Sequence, residues 1–270
     1  MDDRPIGVFD SGFGGLTVAR ALIDLLPGED LVYIGDTGRY PYGPRDLDEV
    51  RGFAEQITAK LVLEHDVKMV VVACNTAAAA ALHLLRFDYD IPLVGVIEPG
   101  LRATVRATRS GRIGVIGTVG TVGSGAYQRA VGALRGHGRL QLTCAACPGF
   151  VEFVERGEIA SDQVFVLAER LLAPVMAARV DTLLLGCTHY PFLARTISDV
   201  VGRDVVLVSS AEETAFEVLR ILEETGLGRR GAKSGVRTWI SSGDVAMFGE
   251  LGRRLLGPEL DTVEPWVPAG

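Results

Sequence analysis

The sequence predicts an α/β protein made of two similar halves, each a parallel sheet covered by helices, with a ligand site between them. Three observations lead there. Short apolar runs alternate with amphipathic stretches along all 270 residues, the pattern of a parallel sheet buried on both faces. Two motifs recur in the same order at nearly one spacing. In both copies the second motif is a strand that runs into a cysteine.

Taken in order, residues 6–9 form a continuous apolar run of the kind a doubly buried strand requires. An amphipathic stretch follows over 15–26, then a second strand at 31–34. Residues 47–64 alternate charged and apolar side chains at a helical period, and the β-branched run 67–72 is the third strand. Alanines 77–81 read as a closely packed helix, since alanine joins high helix propensity to little bulk. Residues 93–96 supply the fourth strand. The alternation resumes with strands at 113–116, 140–144, 182–185 and 205–208 and helices over 124–134, 161–178, 191–201 and 211–225. Beyond Gly226 a glycine-rich linker carries Arg229, Arg230 and Lys233 ahead of a last strand at 236–240.

The repeat is visible in the residues themselves. Ile6-Gly7-Val8-Phe9-Asp10-Ser11-Gly12 is echoed by Ile113-Gly114-Val115-Ile116-Gly117-Thr118, an offset of 107 residues. Val71-Val72-Ala73-Cys74-Asn75-Thr76 is echoed by Leu184-Leu185-Gly186-Cys187-Thr188-His189, an offset of 113. Buried strands resemble one another cheaply. A cysteine at the same relative place in both halves is a stronger coincidence.

Composition narrows the classes of function. A net charge of −7 with scattered arginines and no basic block gives no nucleic-acid footprint. No apolar run is long enough to span a bilayer, and the acidic start MDDRPIG is unlike a secretory leader, so a soluble cytoplasmic protein without membrane association is expected. Four cysteines, Cys74, Cys144, Cys147 and Cys187, are too few for a disulfide framework in that compartment. Cys144 and Cys147 do have C-x-x-C spacing. A zinc site would need a second pair, and His137 and His189 are not spaced to replace it, so no metal is expected. A thiol redox motif remains one reading of that pair.

Cys74 and Cys187 point to other chemistry. Ligands of open α/β sheets bind beyond the carboxyl ends of the strands, where both cysteines fall. A helix start behind each would lower a thiol's pKa and attract carboxylates. If the halves face each other about an approximate two-fold axis, the thiols meet one ligand from opposite sides. Such a pair can take a proton from one face of a carbon and return one to the other. Fixed N–H donors and hydroxyls would stabilise the charge that develops. Nothing in this scheme demands a cofactor.

The motifs Asp10-Ser11-Gly12-Phe13-Gly14-Gly15-Leu16, Tyr40-Pro41-Tyr42-Gly43, Ala73-Cys74-Asn75-Thr76-Ala77, Gly117-Thr118 with Thr121, and Gly186-Cys187-Thr188-His189-Tyr190-Pro191 together resemble the glutamate racemase family over residues 6 to about 220. The resemblance implies a cofactor-independent racemase that interconverts L- and D-glutamate and supplies D-glutamate for peptidoglycan, with Cys74 and Cys187 as its acid/base residues. It further implies Asp10 as helper on the Cys74 side and His189 on the Cys187 side. Glu155 would be the additional carboxylate, with Glu152 one helical turn away as the alternative. Substrate contacts carried over by motif are Asp10, Ser11, Tyr42, Gly43, Asn75, Thr76, Thr118, Thr121 and Thr188. The same resemblance implies a homodimer, and two domains of residues 1–98 plus 209–270 and 99–208. The glycines at 12, 14 and 15 are not a nucleotide loop, since the Lys-Ser/Thr of a P-loop is missing and Thr17 stands where a third glycine would be needed.

Rival readings are a racemase of the same superfamily acting on aspartate or a hydantoin, a two-lobed amino-acid binding protein without chemistry, and the thiol redox protein. Only the racemases account for the matched cysteines.

Overall fold

The computed structural model describes residues 1–134, 140–229 and 234–268; His137, Arg230 and Lys233 lie outside the described residues. The first half runs β1 (Ile6–Asp10), α1 (Leu16–Leu25), β2 (Leu31–Gly35), α2 (Leu47–Leu63), β3 (Met69–Val72), α3 (Asn75–Asp88), β4 (Leu93–Gly95) and α4 (Ile97–Ala107). The second runs β5 (Arg112–Gly117), α5 (Val119–Gly123), α6 (Ala126–Ala133), β6 (Gln141–Ala146), α7 (Phe150–Glu155), α8 (Asp162–Ala177), β7 (Thr182–Gly186), α9 (Ala194–Val201) and β8 (Val206–Ser209). The chain finishes with α10 (Ala211–Thr225), β9 (Arg237–Ser241), α11 (Val245–Leu256) and β10 (Val263–Pro265).

Two parallel sheets result. One has the order β10-β9-β2-β1-β3-β4, the other β6-β5-β7-β8. Without β9 and β10 the first sheet reads 2-1-3-4, and the second repeats that order as 6-5-7-8. The repeat seen in the sequence is therefore a repeat of topology, with β1 matching β5 and β3 matching β7. In both sheets the chain steps to one side of its first strand and then to the other. That reversal opens a crevice at the strands' carboxyl ends.

The predicted strands and helices are present, with ends shifted by one to three residues, and the structure adds elements the sequence hid. α4 opens with Ile97-Glu98-Pro99-Gly100, a turn that looks like a helix breaker. Proline is tolerated in a first turn, where its missing N–H has no helical partner. Gly100 is needed because a Cβ there would stand 2.8 Å from that of Ser210. β10 escaped notice because it ends in Pro265, a residue confined to sheet edges.

The core follows strand alternation. Ile6, Val8, Tyr33, Met69 and Val71 face α1 and α10, whereas Phe9, Val32, Ile34, Val70 and Val72 face α2 and α3. Each fully buried aliphatic or phenyl side chain contributes about 1.5–3 kcal/mol. The cluster on the α2–α3 side also contains Val115, Ala126, Tyr127 and Leu184 of the second half, so the halves share apolar packing beside the crevice. No helix among the described residues is long and apolar enough to cross a membrane.

Candidate active site

The strands set the site. Asp10 ends β1 and Ser11 follows it; Cys74 lies two residues past β3; Thr118 follows β5; Cys187 follows β7. All four positions are carboxyl ends flanking the points where strand order reverses. Ser11, Cys74, Thr118 and Cys187 line a single cavity between the halves. Gly43, Asn75, Thr76, Thr188 and His189 line it as well.

The two thiols are served differently. Cys74 is the N-cap of α3 and its Sγ lies 3.7 Å from Ser11 Oγ. Burial, and then the Asp10 carboxylate, push its thiol up to about 12, against the Ala77 N–H and the Ser11 hydroxyl, which favour the thiolate. Asp10 itself is fully buried behind the cavity wall. One carboxylate oxygen accepts from the N–H groups of Gly12 at 3.3 Å and Gly15 at 2.8 Å, which ties down the loop before α1. The other oxygen is buried and has no hydrogen-bond partner among the described residues.

Cys187 does not head an α-helix. The predicted helix over 191–201 begins as a tight 3₁₀ turn, Tyr190–Leu193, and becomes α-helical only at Ala194. In place of a helix start, Cys187 has His189. Burial opposes charge on that ring, but the Cys187 sulfur and the Glu155 carboxylate outweigh it and raise the imidazole to about 10. Glu155 stands 3.6 Å from His189 Nε2. Its neighbour one turn earlier, Glu152, is the carboxylate that lines the cavity. The two acidic residues of α7 thus divide: Glu155 backs the histidine and Glu152 faces the ligand space.

Three hydroxyls join the halves. Thr76 Oγ1 lies 3.0 Å from Thr118 Oγ1 and 3.1 Å from Thr121 Oγ1, and Thr118 donates to Thr121 at 2.9 Å. Thr76 and Thr118 reach the cavity, while Thr121 is fully buried behind them. Tyr42 lines the wall, but its hydroxyl donates to buried Asp36, so its ring and backbone are what it presents. Gly43 is required for close approach. A Cβ there would meet that of Thr118 at 2.9 Å, and its carbonyl accepts from Gly120 N–H at 2.8 Å.

Sequence reading missed Tyr40, Cys147 and Tyr190 as wall residues. It also gave no reason for the glycines after Asp10. A Cβ on Gly14 would lie 2.3 Å from Thr188 Oγ1 and 2.5 Å from His189 Nδ1, so this loop of the first half abuts the histidine of the second. Gly14→Ala must push His189 away by about 1 Å, a misplacement of the kind that costs about 10²-fold. We expect that loss in turnover with a melting temperature close to wild type, measured by steady-state rates beside calorimetry.

Cys144 and Cys147 separate on inspection. Residues three apart on an extended strand point to opposite faces. Cys144 packs against the core shared with the first half, whereas Cys147 is buried in the core of α8 and β7. Such a pair is poorly placed for a dithiol centre. Among the described residues no three His, Cys, Asp or Glu side chains cluster as metal ligands.

Comparison with known proteins agrees with this geometry. Residues 6–217 match the Asp/Glu/Hydantoin racemase family. A glutamate racemase of Mycobacterium ulcerans (strain Agy99) is 53% identical over 267 residues, which cover 98% of this chain and 97% of the relative. The crystal structure of a glutamate racemase isoform from Bacillus anthracis superposes with a TM-score of 0.91 at 40% identity, covering 100% of this chain and 98% of that one. That of Francisella tularensis glutamate racemase, solved with D-glutamate, superposes at 0.90 with 30% identity and 98% coverage of both chains. With two thirds of its length and more matched by the family, and relatives of this identity matched nearly end to end, the chain belongs to the Asp/Glu/Hydantoin racemase family.

Proposed function

We propose that this chain interconverts L- and D-glutamate by proton transfer between Cys74 and Cys187, with no cofactor or metal, and supplies D-glutamate for peptidoglycan in the cytoplasm. The observation that carries this reading is the presence of one cysteine from each half, at matching positions of the repeat, on the wall of one cavity. The 53% identity to a glutamate racemase supports glutamate as the substrate. The domain division proposed with it is 1–98 plus 209–270 and 99–208; the pairing of β9 with β2 supports the return of the chain to the first half.

In the forward step, the Cys187 sulfur, beside imidazolium His189, takes the α-proton as a thiolate. The electron pair of the broken C–H bond spreads into the substrate carboxylate, which N–H and hydroxyl donors stabilise. The Cys74 thiol then delivers its own proton to the other face. Burial and Asp10 hold that thiol protonated until the carbanion forms. The sulfurs have exchanged protonation states at the end, so the opposite enantiomer runs the sequence in reverse. Asp10 and His189 help the proton on and off their respective sulfurs, and Glu155 holds the charge on His189. Ser11, Asn75, Thr76, Thr118 and Thr188, with backbone N–H groups near Tyr42 and Gly43, bind the two carboxylates as neutral donors; Thr121 orients the other two threonines.

The test is incubation of purified protein in deuterated water with each glutamate enantiomer and no added cofactor. Both should racemise and gain deuterium at the α-carbon, while aspartate should do so far more slowly. Saturable glutamate binding with unchanged optical rotation would mark a binding protein and overturn the proposal.

A further inference from the structure

Asn75 is 3% exposed and lines the cavity, yet its side-chain nitrogen Nδ2 has no partner among the described residues. Its oxygen is engaged. The Tyr127 hydroxyl, reaching from α6 of the second half, donates to Asn75 Oδ1 at 2.8 Å. A side-chain amide has two nearly isosteric orientations, and only its hydrogen bonds decide between them. Tyr127 is 1% exposed, and among the described residues this is the one hydrogen bond its hydroxyl makes. A buried hydroxyl must donate somewhere. It therefore fixes the amide with oxygen towards Tyr127 and leaves the unpartnered Nδ2 on the other side of a residue that lines the ligand space.

From this arrangement we infer that Tyr127 is a positioning residue, which sets the Asn75 amide so that the cavity presents a donor to a ligand carboxylate. The inference rests on the reading that the cavity takes glutamate. With the amide reversed, Asn75 would put a carbonyl oxygen against the carboxylate, so the orientation selects for an anionic group. Burial, together with the nearby thiols of Cys144 and Cys187, keeps the phenol well above its ordinary pKa. The hydroxyl thus remains a donor throughout the working pH range. The close contact is built into the second half too: a Cβ on Gly186 would stand 2.9 Å from the Tyr127 oxygen. Strand β7 therefore leaves room for that hydroxyl immediately before Cys187.

The experiment is a double-mutant cycle on the full chain, with glutamate kinetics and calorimetric glutamate binding measured side by side. Tyr127→Phe keeps the ring and removes the donor. KM and the dissociation constant should rise about tenfold, the scale of one hydrogen bond to a charged group, with a smaller change in kcat. Asn75→Ala should raise both at least as much, and Tyr127→Phe placed on Asn75→Ala should add less than about twofold. A merely structural tyrosine would not lose its effect when Asn75 is removed. Asn75→Asp gives an independent measurement if Tyr127→Phe folds poorly. It keeps the bond to Tyr127 but puts an acceptor where the inward donor stood, so KM should rise by more than in Asn75→Ala. Wild-type affinity in Tyr127→Phe, losses that multiply in the double variant, or wild-type KM in Asn75→Asp would each overturn the inference while leaving racemisation standing. A wild-type chain that neither binds nor racemises glutamate would remove the functional reading and this inference together.

Discussion

Cys74→Ala and Cys187→Ala should each lower glutamate racemisation by at least about 10³-fold, towards the upper end of what one positioned acid or base contributes. The two variants should fail in different ways. With one sulfur gone, the survivor can still take a proton from its own face but has no partner to reprotonate the other. Exchange of the α-proton with deuterated water should therefore persist for one enantiomer in Cys74→Ala and for the opposite one in Cys187→Ala, without inversion in either. Proton NMR of the recovered amino acids reads this directly. Cys144→Ala is the control. Its side chain lies on β6 in a packed, half-buried position, and activity should stay within about twofold, as for changes away from the reacting groups. Exchange of the same enantiomer in both cysteine variants would defeat the assignment of one sulfur to each face.

Lys68→Met should cost about 3–5 kcal/mol of stability, the scale for breaking a buried ion pair. Lys68 is 1% exposed. Its ammonium donates to Glu29 Oε2 at 2.5 Å and to the Asp2 carbonyl at 2.8 Å. Glu29 also accepts from Arg229 N–H at 2.8 Å, on the linker that leads to β9. Methionine fills the aliphatic volume but leaves the Glu29 carboxylate buried with a backbone donor only. Urea denaturation should show the midpoint falling by about 1–2 M for a chain of this size. Removing both charges in Lys68→Met/Glu29→Met should recover most of the loss, because no lone charge then stays buried. The pair lies at the amino ends of the strands, away from the cavity, so rates per folded molecule should hold. A double variant as unstable as the single would mean that Lys68 acts by packing instead of charge.

The contrast between those two predictions marks what sequence can reveal. Cys74 and Cys187 were legible because a strand-ending cysteine recurs in a repeated motif, and strand ends at a crossover are where α/β folds bind ligands. Lys68 was one of three lysines in a chain rich in arginine, and composition gave it no weight. Its burial against Glu29 and the Asp2 carbonyl joins residues far apart in the chain. Asp36 is similar: its carboxylate receives Arg39 and Tyr42 from its own loop and Ser242 from the far end of the chain, and no local pattern announces that last contact. Thr121 was named as a ligand contact by motif, yet it stands one layer behind.

By itself the sequence determined the alternation of strands and helices, the two halves and the cysteine at each crevice, since these depend on local propensity, apolar period and residue type. Tertiary structure alone decided that β10 adds an edge strand to the first sheet, and that a charged His189 serves Cys187 in place of the expected helix start. It also decided that Glu155 backs that histidine and that Tyr127 orients Asn75. Most of these rest on contacts between residues distant in the chain, such as Glu155 with His189 and Tyr127 with Asn75, and such contacts are fixed by how surfaces fit after the elements form.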